Sequence, residues 1–201
     1  DWMITTPDQY YFASKGAVTN ISFTIGLDIF NFEQFDLQYN RPDIVLEKIG
    51  KADEATIELY RKAYHKRLEK SGFNEDMFSP EFHTPEIEIL NKEYFVNTTD
   101  SIVNFKIKAW DEKYKLDRIN LWVNNVPIWG VNGQSLRKVK IQEVEKEISV
   151  QLNEGENKIE VSVHNEKAVE SLKETFYVTY SPVNTQKSDL YVYAIGVSEY
   201  S

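Results

Sequence analysis

Apolar and polar residues alternate with a period of two over much of the second half of the chain, a pattern that predicts β-strands. In the run 155–165, Ile159, Val161 and Val163 alternate with polar residues, so three apolar side chains share one face of a strand. Residues 148–152 alternate in the same way, and the residues between the two runs are rich in Asn and Gly, which favour tight turns. The two runs are therefore predicted to form a hairpin with one apolar face.

More strands are needed to cover that face, because a single hairpin is at best marginally stable in water. The pattern predicts further strands within six runs, which are Ile87–Ile89, Ile102–Trp110, Leu116–Ile128, Val139–Leu152, Lys158–Asn165 and Glu174–Tyr180. Asn124 and Asn125 divide the third of these runs as a tight turn. This spacing predicts an immunoglobulin-like β-sandwich over residues 81–182.

Residues 1–80 are predicted to form a small α+β region. Together with the immunoglobulin-like β-sandwich that follows, this makes the predicted fold class mainly β with a small α+β N-terminal region. A strand is expected at 21–25, and its neighbours Phe30, Phe32 and Phe35 are expected to pack as an aromatic cluster. One helix is predicted at about 42–50, with Pro42 in its first turn and Gly50 ending it.

The helical period of three to four residues predicts a second helix at about 53–71. Asp53 is its expected N-cap and Gly72 its expected stop. Ser14–Gly16 is predicted to be a turn and Phe73–Pro85 a linker, because both are rich in residues that interrupt regular structure.

Residues 183–201 are predicted to be a linker followed by a strand. The nearly continuous apolar run 190–197 is typical of a strand buried on both faces of a parallel sheet. The rest of such a sheet is not in the sequence, so the chain is expected to be a segment of a longer protein. An unpaired apolar strand seeks a partner, and self-association through 190–197 is therefore expected.

Composition narrows the function classes. The chain has 201 residues, a formal net charge of −9 and no cysteine. The charge disfavours binding to nucleic acid or to anionic membrane surfaces. No stretch has the length and apolar character of a membrane span. Without cysteine there are no disulfides, thiolate metal sites or cysteine nucleophiles, but a reducing and an oxidising compartment remain equally compatible.

No residue pattern predicts a catalytic, metal or cofactor site. The three histidines lack metal-ligand spacing, and His164 is expected on the solvent face of its strand. Asp111 and Glu112, taken with Asn124 and Asn125, could supply oxygen ligands to calcium, but no loop motif supports such a site. The alternating carboxylates are expected to be solvated, namely Glu86, Glu88, Glu143, Glu145 and Glu147.

Three tryptophans in the predicted sandwich raise the alternative of a carbohydrate-stacking platform. Trp110 and Trp122 are expected in the core, because apolar residues surround them in the sequence. Trp129 follows Pro127 in a predicted loop and is the candidate for partner contact. The alternative function is therefore a carbohydrate- or protein-binding sandwich module.

Two parts of the chain resemble a known arrangement of domains in bacteria. The run 189–200 is similar to the first strand of bacterial caspase-like (metacaspase-type) peptidase domains. The start of the chain, with 6–11, 14–16, 32–35 and the Asn-Arg-Pro-Asp run 40–43, resembles a segment that follows a WD-repeat propeller in multidomain proteins. In those proteins an immunoglobulin-like domain comes next, and residues 152–171 look like part of it.

The resemblance implies a non-catalytic connector that orients a propeller against a caspase-like cysteine peptidase domain and regulates that domain. The implied partners are these other domains of the same parent protein. No catalytic residue is carried over, since the family's histidine and cysteine have no counterpart in this sequence. As it stands, the chain is expected not to be an enzyme and to need no cofactor.

Overall fold

The N-terminal region of the computed structural model is a small α+β unit. The structure describes residues 1–18, 21–25, 27–91, 96–183 and 192–196. The elements of this region are β1 (Met3–Thr5), β2 (Tyr11–Ala13), α1 (Lys15–Val18), β3 (Ser22–Ile25), β4 (Asp28–Asn31), a 3₁₀ turn (Phe32–Phe35), α2 (Asp36–Tyr39), α3 (Pro42–Ile49) and α4 (Glu54–Ser71). β1 pairs antiparallel with β2, and β3 with β4.

The two long helices begin and end as their caps predict. Pro42 opens α3, and Gly50 follows it in the left-handed conformation at φ 68°. The Asp53 side chain accepts a hydrogen bond from Thr56 N at 2.7 Å and so caps α4, while Gly72 ends that helix at φ 68°. Because helical residues three to four positions apart share a face, α4 buries a single stripe, formed by Ile57, Tyr64 and Leu68.

One local prediction in this region was wrong, and another needs a qualification. Residues 14–16 are not a simple turn, because α1 starts at Lys15. The segment 73–85 is largely irregular, as a linker is expected to be, but it is packed against its neighbours: Phe73 is buried, and a 3₁₀ turn spans Glu75–Met77. The Ser79 hydroxyl lies 3.2 Å from the Tyr114 hydroxyl, so this segment is attached to the sandwich.

Two sheets packed face to face form the sandwich, in an immunoglobulin-like arrangement. Its strands are β5 (Glu86–Ile89), β6 (Asn97–Thr98), β7 (Ile102–Trp110), β8 (Leu116–Val123), β9 (Val126–Pro127), β10 (Gln134–Ser135), β11 (Glu143–Gln151), β12 (Gly155–Asn165) and β13 (Glu174–Tyr180). One sheet has the order β11-β7-β5; the other has β10-β8-β12-β13-β6, with β9 paired to β8. All pairs are antiparallel except β6 with β13.

The predicted hairpin of 148–152 with 159–163 was wrong. β11 pairs with β7 and β12 pairs with β8 and β13, so the two strands lie in different sheets. Their connection crosses the sandwich and is held by Asn157, which is fully buried. The Asn157 amide nitrogen donates to the carbonyls of Asn153 (2.8 Å) and Gly155 (2.9 Å), and its oxygen accepts from Asn153 N at 2.9 Å.

The strands predicted at 102–110 and 174–180 have the predicted bounds, and their inward-facing residues build the core between the sheets. The turn between β8 and β9 is also confirmed. Asn124 and Asn125 have φ of 52° and 65°, as a tight two-residue hairpin turn requires.

The predicted terminal strand 190–197 lies partly outside the described residues. Within it, residues 192–196 are described, are exposed and carry no regular secondary structure. None of the helices in the described part of the chain is long and apolar enough to cross a membrane.

Candidate functional site

The outer face of the larger sheet is the unusual surface of this protein. A sandwich sheet normally exposes its outward side chains to water, yet here both faces of β8 and β12 are largely covered. The covered outward residues pair across the two strands as Arg118 with His164, Asn120 with Ser162 and Trp122 with Glu160. The N-terminal region covers this polar ladder, so the junction between the two regions is a buried polar layer.

The centre of the junction is a hydrogen-bonded network. The Asn120 amide nitrogen lies 3.1 Å from Ser162 Oγ and 2.9 Å from His164 Nδ1. The Ser162 hydroxyl donates to Glu170 Oε1, and Glu170 Oε2 lies 3.8 Å from His164 Nε2. Each polar group in this set has a partner, as buried polar groups require.

His164 does not lie on a solvent face, contrary to the prediction. Its side chain is only 15% exposed, and the Phe73 ring lies 6.2 Å away. Burial lowers the pKa of the imidazole, against the opposing effect of the Glu170 carboxylate. The alternation in β12 correctly indicates the outward side, but it does not show what covers that side.

The trio Ser162, His164 and Glu170 is not arranged for nucleophilic catalysis. Nucleophilic serine needs its hydroxyl on a general base and within reach of a substrate. Here the Ser162 hydroxyl donates to Glu170 rather than to His164, and Ser162 is fully buried. The geometry therefore suits a structural polar contact.

One edge of the junction is an arginine pair around an aromatic ring. The guanidinium carbons of Arg118 and Arg137 lie 4.6 and 4.9 Å from the Phe73 ring centroid. Both arginines also donate to the buried Asp117 carboxylate. Arg118 Nη2 reaches the Ser71 carbonyl at 2.6 Å, which ties the end of α4 to the sheet. Planar guanidinium groups are suited to stacking and hydrogen bonding at once.

The connection between β12 and β13 inserts into the N-terminal region. Ala168 packs into the cluster that contains Tyr64, Leu68 and Phe73, and Val169 packs with Phe30 and Phe35. Next to them, the backbone N–H of Glu170 donates to the Gln34 carbonyl at 2.9 Å. Apolar burial and directional hydrogen bonds thus fix one region against the other.

The Asn-Arg-Pro-Asp run also has a structural role. Arg41 donates two hydrogen bonds to Asp43, at 2.9 and 2.8 Å, and its guanidinium carbon lies 3.9 Å from the centroid of the Tyr64 ring. Burial would raise the pKa of Asp43, but the hydrogen bonds and charge of Arg41 outweigh that effect and lower it.

The calcium candidate was wrong, because the structure places its residues apart. Asp111 precedes β8 and Asn124 follows it, so about 25 Å of strand separates them. The Asp111 oxygens already accept from the backbone of Lys113 and Tyr114 and from the side chain of Asn165. Across the described ranges, no three His, Asp or Glu side chains are grouped so that they could hold a metal ion.

The remaining histidine and carboxylate candidates are either exposed to solvent or already hydrogen bonded. His65 is exposed on α4, and His83 Nε2 lies 2.8 Å from Asp111 Oδ1. The five alternating carboxylates are exposed on β5 and β11, as predicted.

The tryptophans do not lie as predicted. Trp110 and Trp122 are half-buried and lie outside the core cluster, whereas Trp129 is half-buried and packs against that cluster. Trp122 stands on the outer face at the junction, with the Lys173 ammonium 4.5 Å from its ring centroid. Partner contact through Trp129 remains a prediction.

Sequence reasoning missed the junction as a whole. The available signal was weak: the outward residues of β8 and β12 include a tryptophan and a histidine, but also the charged Arg118 and Glu160 and the short Ser162, which are equally typical of a solvated face. Gln34 and Glu170, which join the two regions, are separated by 136 positions. No local pattern connects residues at that distance.

No family model matches the chain, and no curated protein matches it. Similar solved structures include the fibronectin(III)-like modules of Clostridium thermocellum CbhA (TM-score 0.39, 13% identity, 55% of this chain and 54% of that one). They also include the endo-β-1,4-mannanase from Thermotoga petrophila (TM-score 0.34, 13% identity, 65% of this chain and 25% of that one). A third is the PKD domain of an M14-like peptidase from a Thermoplasmatales archaeon (TM-score 0.32, 16% identity, 52% of this chain and 99% of that one). The chain spans about half the length of the CbhA modules.

Proposed function

We propose that this chain is a non-catalytic interaction module that works as a connector of fixed geometry. The observation that carries the proposal is the junction: the 165–171 segment is inserted into the N-terminal region, and Arg118 is hydrogen bonded to the end of α4. A flexible tether between domains would have few buried contacts, whereas this junction restrains both position and rotation.

The finer proposal is that the chain orients a WD-repeat propeller against a caspase-like cysteine peptidase domain and regulates that domain. It is supported by the order of the segments that resemble those proteins, together with the fixed junction. A connector can transmit a change at one end to the other only if it does not bend between them. Orientation and regulation are therefore compatible with this architecture.

The domain arrangement is tested by reading the gene beyond both ends of the chain. The proposal expects a propeller before Asp1, and after Ser201 an α/β region that contains a histidine and a cysteine motif. A reading frame that closes soon after Ser201 would overturn the peptidase connection.

Regulation is tested separately, by titrating the isolated caspase-like domain with this chain. The measurements are binding by calorimetry and cleavage of a fluorogenic peptide by the domain. A change in cleavage rate that saturates with the chain supports regulation. Absence of both binding and a rate change would reject it, and the connector role would then be purely one of spacing.

A further inference from the structure

A wide groove lies where the N-terminal region meets the outer face of the larger sheet. It encloses about 770 Å³, and both regions line it. A second groove of about 480 Å³ shares four lining residues with the first, so the two grooves adjoin at the junction. The shared residues are Lys15, Glu33, Glu170 and Lys173. Boundaries between two packed regions are common positions for ligand sites.

The charged groups of the main groove balance. Three lysines (Lys15, Lys158 and Lys173) face three carboxylates (Glu33, Glu160 and Glu170). Two of these groups form an ion pair, since Lys158 Nζ lies 2.9 Å from Glu160 Oε1. A groove with no excess of either sign does not concentrate an ionic ligand, since attraction and repulsion offset each other. It does offer many hydrogen-bond donors and acceptors, to which the amides of Asn31 and Asn125 add.

Among the described residues that line this groove, Trp122 supplies the one large aromatic surface. Its indole is half-buried on β8, and the flexible, exposed Lys173 places its ammonium 4.5 Å from the ring centroid. The electron-rich face of an indole attracts groups of partial positive charge, including the polarised C–H bonds on one side of a sugar ring. The surrounding donors and acceptors match hydroxyl groups, each of which both donates and accepts.

We propose that this groove binds a neutral oligosaccharide, with one pyranose ring stacked on the Trp122 indole. The exposed Lys173 ammonium, which lies over the indole in the structure, moves aside when the sugar stacks and donates to one of its hydroxyls, and Glu33 accepts from a hydroxyl on the N-terminal side. A purely apolar ligand is disfavoured, because it would leave these polar groups without partners. The site goes beyond the connector role and does not depend on it, since it requires neither a propeller nor a peptidase.

The position also revises the carbohydrate alternative that the sequence suggested. Trp129 packs against the sandwich core and is not among the described residues that line the groove. Trp122, expected in the core, is the tryptophan that meets the requirements of a sugar platform. The two residues therefore form a matched pair for a test, as both are half-buried tryptophans of the same sandwich.

The experiment is affinity electrophoresis of the full 201-residue chain in gels that contain a soluble polysaccharide. Laminarin, dextran and xyloglucan are the neutral probes, and polygalacturonate and dextran sulfate are the acidic ones. At least one neutral polymer is expected to retard the chain, and Trp122→Leu is expected to weaken that binding at least about tenfold. Trp129→Leu is expected to bind like the parent.

Two exposed positions keep the test decisive if Trp122→Leu does not fold, which thermal unfolding will show. Glu33→Ala and Lys173→Met alter groove side chains that contribute little to the core, and each is expected to weaken binding about threefold or more. The proposal is overturned if no neutral polymer retards the chain, if only the acidic polymers do, or if Trp129→Leu removes binding and the groove variants do not.

Discussion

The side-chain amide nitrogen of Asn120 lies 2.9 Å from Nδ1 of His164, on the neighbouring strand. An amide nitrogen can only donate, so Nδ1 accepts and the proton of the neutral ring is on Nε2, facing Glu170. This arrangement requires a neutral imidazole, because a protonated ring would have no acceptor at Nδ1. The contact thus connects the protonation state of one histidine to the junction between the two regions.

We expect the free energy of unfolding to fall as the pH is lowered from 7.5 to 5.5. Burial lowers the pKa of His164 below its usual 6.5, so the unfolded chain takes up this proton first. The stability that neutral His164 contributes is complete above the pKa of the unfolded chain. It is lost progressively as the pH falls from that value to the lower pKa of the folded protein. The groups that face the ring are Asn120 and Glu170, with the charges of Asp117 and Arg118 nearby.

Urea unfolding at pH 7.5, 6.5 and 5.5 measures this effect. His164→Gln is expected to flatten the dependence, while His65→Gln, at an exposed position on α4, is expected to leave it unchanged. An equally steep dependence in His164→Gln would assign the effect to other groups.

Asn157→Ala is expected to lower the free energy of unfolding by about 2–3 kcal/mol, since it removes a buried side chain that makes three hydrogen bonds to the β11–β12 connection. Asn153→Ala is the matched control. Asn153 is exposed and joins this connection only through its backbone, so a change within about 0.5 kcal/mol is expected. Similar losses in both variants would contradict a special role for the Asn157 amide.

Gly133→Ala is expected to destabilise the protein more than Gly130→Ala, by about 2 kcal/mol or more. Gly133 has a φ of 55° and Gly130 a φ of 67°, so an alanine at either position carries backbone strain of about 1 kcal/mol. A methyl group at Gly130 would meet open space, but at Gly133 it would lie 2.5 Å from the Ile119 carbonyl oxygen and from the Asn120 side chain. Thermal unfolding of the two variants makes the comparison, and equal melting temperatures would show that the loop adjusts without cost.

Truncation after Ser188 is expected to reduce self-association. Val192, Tyr193 and Ile195 are 76%, 91% and 97% exposed, and such apolar side chains favour contact with a second copy. Sedimentation velocity over a concentration series compares the truncated and full chains. Ile195→Asp in the full chain is expected to act in the same direction as truncation. If all three forms sediment alike, association through 190–197 is rejected.

Local patterns in the sequence determined α3, α4, most strands of the sandwich and one tight turn. Proline, aspartate and glycine set the limits of α3 and α4, because the caps act through bonds within a few residues. The period of two placed β7 and β13, and two adjacent asparagines placed a turn. Phe30 and Phe35 were also correctly assigned to an aromatic cluster, since residues so close in sequence share one neighbourhood.

Strand pairing and surface coverage were decided only by the tertiary structure. β11 and β12 have the same alternation whether they form a hairpin or cross between sheets, and the choice depends on the Asn157 hydrogen bonds and on the core between both sheets. Likewise, the alternation of β12 shows that His164 faces outward but not that Phe73 covers it. An alternating pattern fixes the side of a strand on which a residue lies, whereas the partner of that side comes from distant parts of the chain.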